Sequence, residues 1–387
     1  MKKVMRIVCI MLIALLMPAL FALRSILPLN KNTLIEKKYA GWNGVLRIWI
    51  YEGWQSGAGS FVSWLNRCAG IFEKQHNGVY LQIQPVSETA LQTFSTSGIR
   101  PPDAILFPPG LLDGADHLIS LPDDLPVRES LQEHPCTVPV AMGGYAWVMH
   151  DADSSAVSLT ENTVAAPGDT AYQSSSAALL GLCSGLRQTP ETSPLPGMDL
   201  HLTEAAPAAT EIPGGIYVPI QLNPAFEFRD TPVSDFIRGD LNAIMVSSES
   251  LATLMKLQER GLTPDWTLLS DVEYPFTDQL LMMSVVDGEP EQEALCVEFL
   301  RLLLQEDSQG LLKDWNAFST TAAFTGYTSP DPRAGMETVL RRPQLMIPPA
   351  FSRSWRDTAA LMLEEYLRDA RSASESILRL FVLSRHP

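Results

Sequence analysis

Close cysteine pairs are missing from this chain. Of its five cysteines, Cys9, Cys68, Cys136, Cys183 and Cys296, no two have the short spacing that a zinc site needs, so no metal is expected. Isolated cysteines read as buried free thiols, although the last four would allow three disulfide pairings among which spacing does not choose. The six histidines are scattered, with no His-Glu-x-x-His helix, and no Gly-Lys-Ser/Thr phosphate loop occurs. Gly57-Ala58-Gly59 begins like a dinucleotide loop, but Val62 stands at the third glycine position. Gly181 to Gly185 has the spacing of a nucleophile elbow, yet the helical SSSAALL before it makes it a helix terminus. Carboxylates are abundant, and a glycosidase pair of Glu52 and Asp103 rests on no spacing argument. No catalytic residue, cofactor or enzyme activity is therefore expected. No repeat of 20 to 50 residues is visible either.

Long apolar runs are also scarce, and the single one is placed where it directs export. Lys2, Lys3 and Arg6 precede an uncharged run from Ile7 to Leu23, the layout of a segment inserted with its basic end inside. Its length is at the short edge of what spans a hydrocarbon core of about 30 Å. Leu20/Ala22, Ala22/Arg24 and Leu23/Ser25 each spoil one position of a small-x-small cleavage site, and no cysteine follows the run for lipid attachment. An uncleaved anchor over residues 1–27 is the expectation, with a cleaved signal peptide and a secreted chain as the alternative. Basic residues are few beyond it: 28 Lys and Arg stand against 44 Asp and Glu in the whole chain. Nucleic acid is excluded as a partner by that balance, which does not hinder a neutral ligand.

The exported part is longer than one core usually serves, so two lobes are expected. After a polar tether, 28–43, Val45 to Tyr51 reads as a strand ending in a glycine-rich loop. Phe61, Leu65, Cys68 and Phe72 mark a helix capped by Ser60, and Val79 to Gln84 alternates as a second strand. This βαβ unit predicts a parallel sheet in the first lobe, joined by Ala104 to Phe107. Val138 to His150 is extended and broken by Gly143-Gly144. From Asp151 to Gly215 the chain is rich in Ser, Thr, Ala, Pro and Gly, with one helical patch at 177–182. Phe236 to Ser247 reads as a helix end, a glycine stop and a buried strand, followed by a helix from Leu251 to Arg260. Leu280 to Val286 is an apolar strand, and helices are expected over 291–304, 308–315, 354–370 and 374–383.

In this order the phrases GVLRIWIYEGW, IFEKQHNGVYLQIQPV, PPDAILFPPGLL, HPCTVPVAMGGYAWVMH, FIRGDLNAIMVSS, CVEFLRLLLQEDSQGLLKDWNAFS and LMIPPAFSRSWRDTAALMLEEYLRDARSASESILRL resemble a known family. It is the extracytoplasmic solute-binding proteins of ABC importers, in the group that binds sugars and oligosaccharides. The resemblance implies an α/β, two-lobed periplasmic-binding-protein-like fold with crossing hinge strands and C-terminal helices. It divides the chain into lobe 1 (44–150 and 273–330), lobe 2 (151–272) and C-terminal helices across both (331–387). It implies a monomer holding a small ligand, a carbohydrate, between the lobes, with permease subunits as partners and the membrane reached through the N-terminal segment. Ligand contacts are expected from Glu52, Trp54 and Gln55 past the first strand, Phe107 at the end of the third, Tyr145 and Trp147 in the crossing strand, and Trp355 at the start of a terminal helix. Trp49 alternates with Ile48 and Ile50 and is assigned to the core, and Asp278 to orienting the returning strand. Two other functions fit the same residues: an anchored ligand sensor uncoupled from transport, and a carbohydrate-active enzyme.

Overall fold

The computed structural model describes residues 42–96, 100–150, 164–167, 198–200, 220–222, 226–229, 232–241, 243–269, 277–343, 345, 347–353 and 357. The apolar run, most of the tether, Cys183, Trp355, the helices expected at 177–182 and 374–383, and all but Asp357 of the one expected at 354–370 lie outside them. No helix among the described residues is long and apolar enough to cross a membrane.

The first sheet begins with β1 (Gly44–Ile50), β2 (Val79–Pro85) and β3 (Ala104–Phe107), all parallel, with Ile48 of β1 opposite Ile83 on one side and Ala104 on the other. Helix α1 (Phe61–Gln75) makes the crossover between the first two. Ser60 caps it, accepting the Val62 N–H, and Phe61, Trp64, Leu65, Cys68, Ala69 and Phe72 form its buried stripe. A short α2 (Glu88–Gln92) leads towards β3. The sheet closes with β12 (Leu280–Val285) between β3 and β4 (Val138–Met142), in the order β2-β1-β3-β12-β4.

That sheet is mixed, which corrects the parallel sheet expected from the sequence: β12 runs antiparallel to both neighbours. The cause is the route of the chain. β3 and β4 run towards the junction between the lobes, whereas β12 starts at that junction and must run away from it.

The second sheet has the order β11-β5-β10-β6-β9. It comprises β5 (Tyr145–His150), β6 (Val164–Pro167), β9 (Phe226–Arg229), β10 (Ala243–Ser247) and β11 (Trp266–Leu269). β7 (Met198–Leu200) and β8 (Ile220–Leu222) pair by themselves. Helix α3 (Pro232–Arg238) precedes β10, with Gly239 at φ +79° ending it. α4 (Ser248–Glu259) starts directly after β10, capped by Ser247.

β4 belongs to one sheet and β5 to the other, with only Gly143 and Gly144 between them. Neither position has room for a side chain. A Cβ on Gly143 would lie 2.4 Å from Gln279 Oε1 and 2.8 Å from Trp54 Cζ3, and one on Gly144 would lie 2.5 Å from Leu340 Cδ1. The returning crossing is bonded to this one: Gly143 N–H donates to Gln279 O (2.6 Å), and Thr277 Oγ1 donates to Gly143 O (3.0 Å).

The remaining described helices are α5 (Pro290–Leu303), α6 (Glu306–Leu311) with a 3-10 turn over Leu312–Trp315, and α7 (Pro332–Leu340). α5 packs on α1 through Phe299 and Phe72, whose ring centroids are 5.5 Å apart. α7 packs beside β11, where a Cβ on Gly335 would lie 3.1 Å from Leu268. Its C-terminal carbonyl, Leu340 O, accepts from buried Arg128 Nη1 at 2.7 Å, and Arg128 Nη2 reaches Met142 Sδ (2.6 Å) and Ser319 O (3.2 Å). Burial lowers the Arg128 pKa to about 10, which leaves it charged at neutral pH. The side-chain amide of Gln309 uses both ends: Nε2 donates to Val140 O and Leu303 O, and Oε1 accepts from Ser319 Oγ and Thr320 N. Cys68, Cys136 and Cys296 are buried free thiols.

Candidate functional site

The loop after β1 and the first turn of α4 face each other from the two sheets. Gly57, at φ +73°, lies so close to α4 that a Cβ would come within 2.8 Å of Glu249 Cγ and 3.4 Å of Glu249 Cα. Glycine is needed here twice over, for the left-handed backbone and for the contact. The crossing strands form the floor of this junction. Ser248 ties α4 to them, since its N–H donates to Gly144 O (3.0 Å) and its Oγ accepts from Gly144 N–H (2.8 Å).

The expected site residues divide into three groups. Trp54 and Tyr145 come to the crossing. The Trp54 ring, 8% exposed, packs edge-on against Phe61 at 4.8 Å and abuts Gly143. Tyr145 is 8% exposed and its hydroxyl donates to Asp278 Oδ1 at 2.9 Å, so Asp278 holds the return segment to β5. Glu52 and Gln55 lie on the loop itself. Glu52 Oε1 accepts from Ser60 Oγ (2.5 Å) and Val62 N–H (3.1 Å), a carboxylate engaged with the N-terminus of α1, and Gln55 is exposed. Phe107 and Trp147 are packed into the sheets. Phe107 is 0% exposed beside Phe351, with ring centroids 5.8 Å apart, and Trp147 is 3% exposed opposite Met245 and Leu269. Trp355 lies outside the described residues.

Asp103, paired with Glu52 in the glycosidase alternative, accepts the Arg47 backbone N–H at 2.6 Å. Both carboxylates of that pair thus bond to backbone N–H groups.

Three parts of the site escaped the sequence reading. Glu249 projects from the first turn of α4, half-buried, and burial raises its pKa above the ordinary value. Gln279 is 2% exposed, its Oε1 without a hydrogen-bond partner among the described residues. The third part supports the loop from behind: Trp315 Nε1 donates to Ser60 O (3.1 Å), and Asn316 Nδ2 donates to Ser56 O (3.1 Å). Asn316 adopts φ +52° at the end of the 3-10 turn and accepts from Arg333 Nη1 at 2.7 Å. Arg333 in turn pairs with Asp331 at 2.7 Å and lies 4.7 Å over the Tyr327 ring. A usable signal was the acid three residues after the apolar end of β10, where a helix N-terminus follows a strand. The support by Asn316 depends on residues some 260 positions apart, which no local pattern marks.

No protein-family model and no curated protein matches the chain. Solved structures do. The cyclic α-maltosyl-1,6-maltose binding protein of Arthrobacter globiformis is similar with a TM-score of 0.56 at 13% identity, over 89% of this chain and 100% of that one. The maltose-maltodextrin binding protein of Alicyclobacillus acidocaldarius gives 0.54 at 11%, over 88% and 100%. The maltodextrin binding protein MalE1 of L. casei BL23, solved without ligand, gives 0.56 at 10%, over 89% and 99%. At such identities the likeness establishes the fold: this chain has the two-lobed architecture of periplasmic binding proteins.

Proposed function

We propose that this protein is an extracytoplasmic solute-binding protein that captures a carbohydrate between its lobes and delivers it to an ABC importer. The observation that carries this reading is the junction itself. Two sheets are joined through a glycine pair too crowded for any side chain, and a loop of one lobe meets a helix N-terminus of the other above it. Such a hinge lets two rigid bodies close on a small solute and bury it from water. The fold supports a carbohydrate as the solute, because the similar structures are proteins named for binding maltose and maltodextrins. In this reading lobe 1 comprises 44–150 and 273–330, lobe 2 comprises 151–272, and 331–387 packs across both. Tyr145, Glu52 and Gln55 supply the ring face and polar groups that sugars use, and Trp54 packs behind them on the crossing. The N-terminal apolar run holds the protein at the outer membrane face of the importer, so the full-length chain fractionates with membranes. No reaction is part of this role.

A ligand-induced melting screen over mono- and oligosaccharides tests the reading. A bound sugar at about a hundred times its Kd stabilises by about 2.7 kcal/mol and raises Tm visibly. A panel in which no carbohydrate raises Tm, while another class of small solute does, would overturn it.

A further inference from the structure

Four described segments that meet at the junction are free of Lys and Arg, whereas α7, whose Leu340 abuts Gly144, carries Arg333. Residues 51–60, 143–145, 247–250 and 277–279 contain three carboxylates, Glu52, Glu249 and Asp278, and no cation. Two of the three have partners: Glu52 bonds to Ser60 and Val62, and Asp278 accepts from Tyr145. The Glu249 carboxylate has no hydrogen bond or ion pair among the described residues, although the residue is half-buried against Gly57 of the opposite lobe. The cation of α7, Arg333, is committed to Asp331 and Asn316. A second acceptor points the same way. Gln279 Oε1 is buried without a partner among the described residues, beside Gly143 and Trp54, one residue along the crossing from the Gly144–Ser248 pair that anchors α4. Buried acceptors left without donors are costly, and a ligand that donates to both removes that cost.

We propose that the cleft is built for a carbohydrate that carries an amine, with Glu249 as the counter-ion of its ammonium and Gln279 Oε1 as a further acceptor. The inference rests on the carbohydrate reading above and narrows it. A neutral sugar hydroxyl donates to Glu249 as well, but only a cation also cancels its charge, and the net negative charge of the chain attracts such a ligand. Anionic sugars are disfavoured on the same ground.

The test uses a matched pair, chitotriose with free amines and its fully N-acetylated form, titrated calorimetrically at about pH 6, where a sugar amine is protonated, with maltotriose as the neutral control. The proposal expects the free amine to bind at least about tenfold tighter than the acetylated sugar. Glu249→Gln should bring the two within about threefold, and Glu249→Asp, which keeps the charge, should retain the preference. Equal or tighter binding of the acetylated form, a preference unchanged in Glu249→Gln, or binding of maltotriose alone would overturn the inference and leave the carbohydrate reading intact. Binding of none of the three sugars would overturn the inference, and the wider screen above would then decide the reading separately.

Discussion

Trp54 lies in a loop yet is as buried as a core residue, because its ring fills the space that Gly143 leaves open and leans on Phe61 at the start of α1. Trp54→Ala should therefore cost about 3 to 5 kcal/mol of folding stability in a denaturant melt without ligand. A loss below about 1 kcal/mol, with weakened sugar binding, would instead make it a cleft aromatic. Glu249 gives a second expectation. Its folded pKa is raised by burial, so the folded protein holds that proton more tightly than the unfolded chain does. The resulting stability is present at low pH and declines as pH rises from the ordinary carboxylate range through the raised value. The Tm of the unliganded protein should fall across that window, and Glu249→Gln should flatten the fall. Residue identity alone separated Trp49, alternating inside β1, from Trp54 beyond it. It gave no sign that Trp54 turns back onto the crossing, because that depends on the absent side chain of Gly143, about ninety residues away.

The elements whose apolar residues keep a regular period were legible. β1, α1, β2, β3, β4, β5, β10 and β12 lie within a residue or two of where the pattern puts them, and the glycine pair was read as the break between β4 and β5. α7 was not read as a helix of its own, since Pro332, Gly335 and Thr338 dilute its period, and it is held by contacts at its two ends and by β11. β11, over Trp266–Leu269, was not read as a strand. The direction of β12 follows from the path between lobes, which periodicity does not encode. Two substitutions probe these elements. Gly144→Val pushes a side chain into Leu340 and should destabilise by about 1 to 3 kcal/mol through overpacking of α7, read as a lower denaturation midpoint. Gln309→Leu removes four hydrogen bonds that join β4, α5 and the segment 319–320. It should cost about 3 kcal/mol or more, because partners are left buried and unpaired. A change within about 0.5 kcal/mol would mean that water replaces the amide.

At the scale of the whole molecule, two lobes approach each other at Gly57 and Glu249 and are joined by crossings bonded to each other at Gly143, Thr277 and Gln279. A ligand acts on such a molecule only by binding one arrangement of the lobes better than another. The order of motifs along the chain made the two-lobed plan legible before any coordinates. Of the candidate site, the loop after β1 and Tyr145 were legible as expectations, and both come to the junction, while Glu249 and Gln279 became visible only when the lobes were brought together. Solution scattering, with a sugar taken from the melting screen, tests the closure mechanism most directly. The account predicts that the radius of gyration falls over the same ligand concentrations that raise Tm. A sugar that raises Tm while the scattering profile stays unchanged would contradict it, and would place the ligand in a preformed pocket of one lobe.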